Sequence, residues 1–122
     1  SNTNPDLQKI IEEANQLLSE KHDEVEKPAR DLGILDDAKE IAEGGKDGAR
    51  NYEKSGGSAA RNGDFAKFPG QEIDRLNDGF KMKILPDGTK IISRDKTGRG
   101  YEPTIEIQGP NKGDPTVKIR YR

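Results

Sequence analysis

Between Gly79 and Arg122 polar and apolar residues alternate, and the polar set is rich in groups that handle phosphate. Lys81 and Lys83 alternate with Phe80, Met82 and Ile84; Thr104, Glu106 and Gln108 with Ile105 and Ile107; Lys118, Arg120 and Arg122 with Val117, Ile119 and Tyr121. In an extended chain this alternation sends the two sets to opposite faces. Several cations on rigid strands neutralise phosphates, and an arginine can grip one through two hydrogen bonds. Glu106, set among cations, can take the proton of a ribose 2′-hydroxyl. A neighbouring Arg or Lys then stabilises the charge that builds on the pentacovalent phosphorus. Thr104 can orient a phosphate oxygen. The chemistry is a phosphodiester transesterification, which needs neither a metal nor a cysteine. Lys90–Arg94 leaves its register open. Ile91 and Ile92 are both apolar, so either Ser93 or the pair Lys90 and Arg94 joins the polar face.

The competing reading is a face that is merely solvated, with Glu106 paired across strands and lysines guarding an edge. Other candidate groups are weaker. His22, the only histidine, stands near a helix end, where the dipole accounts for it. With no cysteine and one histidine the chain lacks the ligands of zinc and two-histidine endonucleases. Asp36-Asp37 and Asp23-Glu24-Glu26 do not have the spacing of a calcium loop. Gly98-Arg99-Gly100 is too short for a nucleotide loop. Phe65 and Phe68 suit core or hinge packing. Tyr101 adjoins Arg94, Lys96 and Arg99 and is placed either to stack on a base or to pack under the loop.

The elements that position these groups follow from punctuation and period. Pro86-Asp87-Gly88 is a turn, with proline fixing φ and glycine accepting a positive one. It joins a strand over Phe80–Ile84 to a partner over Lys90–Arg94. Residues 97–100 form a loop, and strands follow over Thr104–Gln108 and Thr116–Arg122. Upstream, Asn4 caps a helix with Pro5 at its first position. Leu7, Ile10, Ile11, Ala14, Leu17 and Leu18 form its buried stripe; it ends near Lys21-His22, and Pro28 limits continuation. A second helix is expected from Asp36 to about Glu43, and a short one near Gln71–Asn77. The glycine-rich 44–63 region reads as a mobile linker or a weak helix around Ala49–Lys54. The expected fold is α+β, with N-terminal helices packed on one face of a small C-terminal four-stranded antiparallel sheet. Residues 1–64 form a helical acidic region with the linker. Residues 65–122 form a short helix plus sheet, within one compact domain overall.

Apolar residues make up 29% and charged residues 36% of 122 positions, lean for a packed core, so part of the chain is expected to be loosely ordered or to need a partner. Residues 1–60 carry a net charge of −6 and residues 61–122 a net charge of +4, which together give the chain's −2. The basic half is the one suited to an anionic ligand. No run is long and apolar enough to span a membrane, and no signal-peptide pattern opens the sequence. Met82 is the only methionine. The chain therefore reads as a domain cut from a larger protein, with Ser1-Asn2 a remnant of expression.

The segment LPDGTKIISRDKTGRGYEPTIEIQ and the closing VKIRYR resemble the ends of C-terminal toxin domains from bacterial polymorphic and contact-dependent growth inhibition systems. The shared features are a PDG hairpin, a Ser-Arg pair, a glycine-rich loop, a P-T-I-x-I strand and a terminal K-I-R strand, over about residues 80–122. Such domains are often similar to the barnase/EndoU/colicin/RelE group, with helices on a twisted antiparallel sheet. The resemblance implies a metal-independent ribonuclease without cofactor, frequently directed at tRNA. It implies release from a large surface protein, action in the cytoplasm of a target bacterium and a dedicated immunity protein. A host translation factor is a further possible partner. The positions carried over as catalytic are Ser93, Arg94, Thr104, Glu106, Lys118 and Arg120. Lys81, Lys83, Lys96, Arg99, Tyr101 and Arg122 are the expected RNA contacts. The sheet has no histidine, unlike the barnase-like and EndoU-like patterns, so Arg, Lys or water would serve as general acid. The alternative is a non-enzymatic RNA- or protein-binding module of a larger secreted protein.

Overall fold

Asn4 caps the first helix as its sequence dictates: its side-chain oxygen accepts from the N–H groups of Asp6 at 2.9 Å and Leu7 at 3.4 Å. The computed structural model describes residues 4–42, 48–74, 79–97 and 100–122. This helix, α1 (Pro5–Asp31), runs past the expected end at Lys21-His22 and carries Pro28 inside it. Pro28 costs the carbonyl of Glu24 its donor. Glu24 is exposed, so water can replace it. Helix α1 stops at Gly33, which takes φ of 75°, while the N–H of Ile34 returns to the carbonyl of Ala29 at 3.0 Å.

Only the C-terminal half of α1 enters the core, through His22, Val25, Glu26 and Ala29. The stripe expected to be buried is not. Leu7, Ile10, Ile11, Leu17 and Leu18 are between 46% and 63% exposed. The helix expected from Asp36 is replaced by a turn through Asp37 and a short strand, β1 (Lys39–Ile41). Glu43 lies outside the described residues. Nor is the glycine-rich region a linker where it is described. It holds strand β2 (Arg50–Lys54), in place of the weak helix, and helix α2 (Gly57–Lys67). Gly44 and Gly45 lie outside the described residues. The short helix expected from Gln71 is instead strand β3 (Gln71–Asp74), and residues 75–77 are not described.

The remaining strands are β4 (Phe80–Ile84), β5 (Lys90–Thr97), β6 (Gly100–Gln108) and β7 (Thr116–Tyr121); β5 runs three residues past the expected Arg94 and β6 begins four before the expected Thr104. Of the expected loop at 97–100, Thr97 and Gly100 are paired, and Gly98 and Arg99 lie outside the described residues. All seven strands form one sheet in the order β1-β2-β7-β6-β5-β4-β3. The fold is α+β, but the sheet is seven-stranded and mixed, not four-stranded and antiparallel. The one parallel pair is β2 with β7; every other neighbour is antiparallel. The pairing pattern makes β2 and β3 point the same way from opposite sides of the sheet. A hairpin turn cannot make that connection, so α2 crosses a face of the sheet between them.

Both helices lie on the face that carries Ile91, Ile105, Ile107, Val117, Ile119 and Tyr121, joined there by Phe65, Phe68 and Tyr52. Phe65 and Phe68 thus pack in the core. Each helix also buries a carboxylate against the sheet. Glu26 of α1 accepts from Arg50 Nη1 and from the hydroxyl of Tyr52, both at 2.8 Å, and pairs with Arg30. Asp64 of α2 accepts from Lys54 Nζ at 2.7 Å and from the hydroxyl of Tyr121 at 2.8 Å. Buried charge held this way is paired and hydrogen-bonded, which burial requires. Among the described residues no helix is long and apolar enough to cross a membrane.

Candidate functional site

The register of β5 decides which groups share the face that neither helix covers, the uncovered face, on which Met82, Ile92, Thr104, Arg120 and Asn51 are nonetheless buried among their neighbours. Arg94 pairs with Phe80 on one side and Thr104 on the other; Thr104 pairs with Arg120, and Arg120 with Glu53. The next row runs Met82, Ile92, Glu106, Lys118, Asn51. A third runs Ile84, Lys90, Gln108, Thr116. Intervening residues point to the helices. Arg94, Thr104, Glu106, Lys118 and Arg120 therefore come together on one face.

Ser93 does not join them. It lies in the row of Ile105 and Ile119, on the helix side, and is buried. Its expected catalytic place is corrected by the register. Lys81 and Lys83 are corrected for the same reason: on β4 the apolar set Phe80, Met82 and Ile84 takes the uncovered face. Lys83 is buried, and its Nζ donates to the carbonyls of Phe65 at 2.8 Å and Phe68 at 2.9 Å, over the Phe65 ring. It satisfies the carbonyl end of α2, a standard need of a helix terminus. Lys81 pairs with Glu72 at 3.4 Å.

Glu106 sits at the centre of the site, on β6 (itself the central strand of the β7-β6-β5 block). Its carboxylate lies 3.8 Å from Arg94 Nη2 and accepts from Gln108 Nε2 at 2.5 Å. Lys118 is directly across on β7. Arg94 is 37% and Glu106 13% exposed at the side chain, so both reach solvent. The Arg94 guanidinium stacks 4.8 Å from the centre of the Phe80 ring. In the neighbouring row Arg120 pairs with Glu102 at 3.2 Å and donates to Asn51 at 3.1 Å. Arg122 pairs with Glu102 and with Glu53. Thr104 Oγ1 donates to the carbonyl of Glu102 at 2.9 Å.

A bulge aims Arg94. The β5–β6 register shifts between Arg94 and Lys96, where Glu102 and Pro103 of β6 stand opposite Asp95 alone. Arg61 of α2 grips both sides of the shift. Its Nη1 donates to the carbonyl of Arg94 at 2.5 Å, and its Nη2 pairs with Asp95 at 2.6 Å. Tyr101 is 80% exposed, so it does not pack under a loop. The side chain of Lys96 and the whole of Arg99 lie outside the described residues.

No protein-family model, curated protein or solved structure matches the chain.

Four groups of this face, and Arg61 behind it, are not among the sites expected from the sequence. Gln108 is placed on the face by its alternation but without a role, and Glu102 lies before the strand expected from Thr104. Asn51 and Glu53 arrive on β2, whose period-two pattern is hidden between glycine clusters. Arg61 sits on α2, where its sequence gives no sign that it reaches the bulge.

Proposed function

We propose that this chain is a metal-independent ribonuclease that cleaves by 2′-hydroxyl transesterification on the uncovered face of the sheet. The observation that supports the reading best is Glu106 held between Arg94 and Lys118, with Thr104 and Arg120 in the adjoining row. Glu106 takes the 2′-hydroxyl proton. The 2′-oxygen bonds to phosphorus, and the bond to the 5′-oxygen breaks. A proton reaches that oxygen from Lys118 or from solvent. The products are a 2′,3′-cyclic phosphate and a 5′-hydroxyl end. Arg94, Arg120 and Lys118 stabilise the added negative charge on the phosphoryl oxygens. The resemblance of residues 80–122 to bacterial toxin domains adds tRNA as substrate and an immunity protein as partner, with delivery into a target bacterium.

Incubating the chain with total tRNA in EDTA, with and without cell extract, tests the reading. Cyclic phosphate ends should appear, and Glu106→Gln should slow cleavage by about 10²–10⁴-fold with unchanged circular dichroism. Wild-type rates from Glu106→Gln, or intact tRNA under every condition, would overturn it. Salt-sensitive RNA binding with no product would assign the face to the binding-module alternative.

A further inference from the structure

Two lysines at the end of the uncovered face differ from its arginines. Arg94, Arg120 and Arg122 are each matched to a carboxylate. Lys90 and Lys112 have no ion pair among the described residues. Both are exposed, and both line one cleft of about 400 Å³ at the end of the face, with Gln108, Asn111, Asp114 and Thr116.

The cleft is continuous with the Glu106 site. Lys90, Gln108 and Thr116 form the row next to Ile92, Glu106 and Lys118, and Gln108 donates to Glu106. Gln108 is two residues beyond Glu106 on β6, about 7 Å at the rise of a strand. That is close to one nucleotide step along an extended strand of RNA.

Its walls are also preformed. Asp114 accepts the N–H of Asn111 at 2.8 Å, and its own N–H donates to the Asn111 carbonyl at 3.1 Å. A Cβ at Gly109 would lie 2.5 Å from the Cβ of Asp114, so the turn closes only with glycine there. The acidic group of the cleft is thus committed to its turn, while the two lysines are available.

We infer that this cleft binds the ribonucleotide adjacent to the scissile phosphate. Lys90 and Lys112 hold the phosphate on the far side of that nucleotide, which a dinucleotide lacks, and the Asn111 amide with the Gln108 Oε1 meets its base edge. The inference rests on the ribonuclease reading and extends it to substrate length and base preference.

Two measurements test it. The first is an NMR titration with AMP, GMP, CMP, UMP and, separately, inorganic phosphate. The amides of Asn111, Lys112 and Gly113 should shift, at lower concentration with at least one nucleotide than with phosphate. The second compares cleavage of an RNA dinucleotide with that of a tetranucleotide. Wild type should gain roughly tenfold in kcat/KM from the added length, one phosphate contact's worth of binding. Lys90→Ala/Lys112→Ala should lose that gain while cleaving the dinucleotide as before. Equal length dependence in the double variant, unshifted amides, or phosphate binding as tightly as every nucleotide would each overturn the cleft. If wild type cleaves no RNA, the ribonuclease reading fails by itself. The titration then still decides whether the cleft takes a nucleotide.

Discussion

Lys83 has the residue type of a phosphate contact and the position of a structural one. Its ammonium occupies two carbonyls at the end of α2 and has no route to the uncovered face. Lys83→Met should therefore cost about 1–3 kcal/mol, the usual penalty for buried acceptors left without a donor. It should leave RNA affinity per folded molecule unchanged. Urea unfolding beside a filter-binding titration measures both, and a weakened RNA affinity in the folded variant would return Lys83 to the site. Arg94 shows the converse. Its side chain is available because Arg61, a positioning residue, holds its carbonyl and the bulge behind it. The alternation alone placed Lys81 and Lys83 on the polar face and left Ser93 and the Lys90/Arg94 pair as alternatives there. Separating them requires the face on which each strand's alternation begins, and a shift of one residue reverses it.

At the scale of elements, the legible parts were those with strong local signals. Asn4-Pro5 opens α1, Pro86-Asp87-Gly88 turns β4 into β5, and period-two runs mark β4 to β7. Strands β1, β2 and β3 were illegible because they are short, and β2 also owes its form to a partner far along the chain. β2 is set by its pairing with β7, a contact no local window contains. Glycines around β2 then look like a linker although they bound a strand and a helix. The α1 stripe misleads in another way: its spacing is helical throughout, but only the C-terminal half meets the sheet. The two halves should differ in energy. Ile10→Ser and Leu17→Ser, at 61% and 63% exposure, should each cost less than about 0.5 kcal/mol. Ile119→Ala, with the side chain fully buried on β7, should cost about 3–4 kcal/mol. Urea midpoints decide it, and a large loss at Leu17 would show that the stripe is packed after all.

Across the whole molecule, one arrangement occurs twice: a tyrosine of the sheet donates to a buried carboxylate of a covering helix, Tyr52 to Glu26 and Tyr121 to Asp64. Burial, then the Glu26 bond and charge, push the Tyr52 phenol up to about 12. Burial, then Asp64, raise that of Tyr121 still further above its ordinary range. Burial alone would lower Lys54, but its bonds to Asp64 and Asp37 outweigh that and hold it above the usual lysine range. All three groups keep their protons in the folded chain at a pH where the unfolded chain releases them, from about pH 10 for tyrosine. Their stabilisation is complete below that point and is lost as pH rises through the folded values. The melting temperature should hold steady from pH 8 to about 9.5 and fall steeply between about 10 and 12. Both helices should leave the sheet together, because one tyrosine secures each. Tyr52→Phe/Tyr121→Phe should start less stable, since two carboxylates lose a donor, yet show a distinctly shallower fall over that range. Thermal melts of both proteins by circular dichroism compare the slopes directly. An equally steep fall in the double variant would show that the tyrosines do not set the alkaline limit.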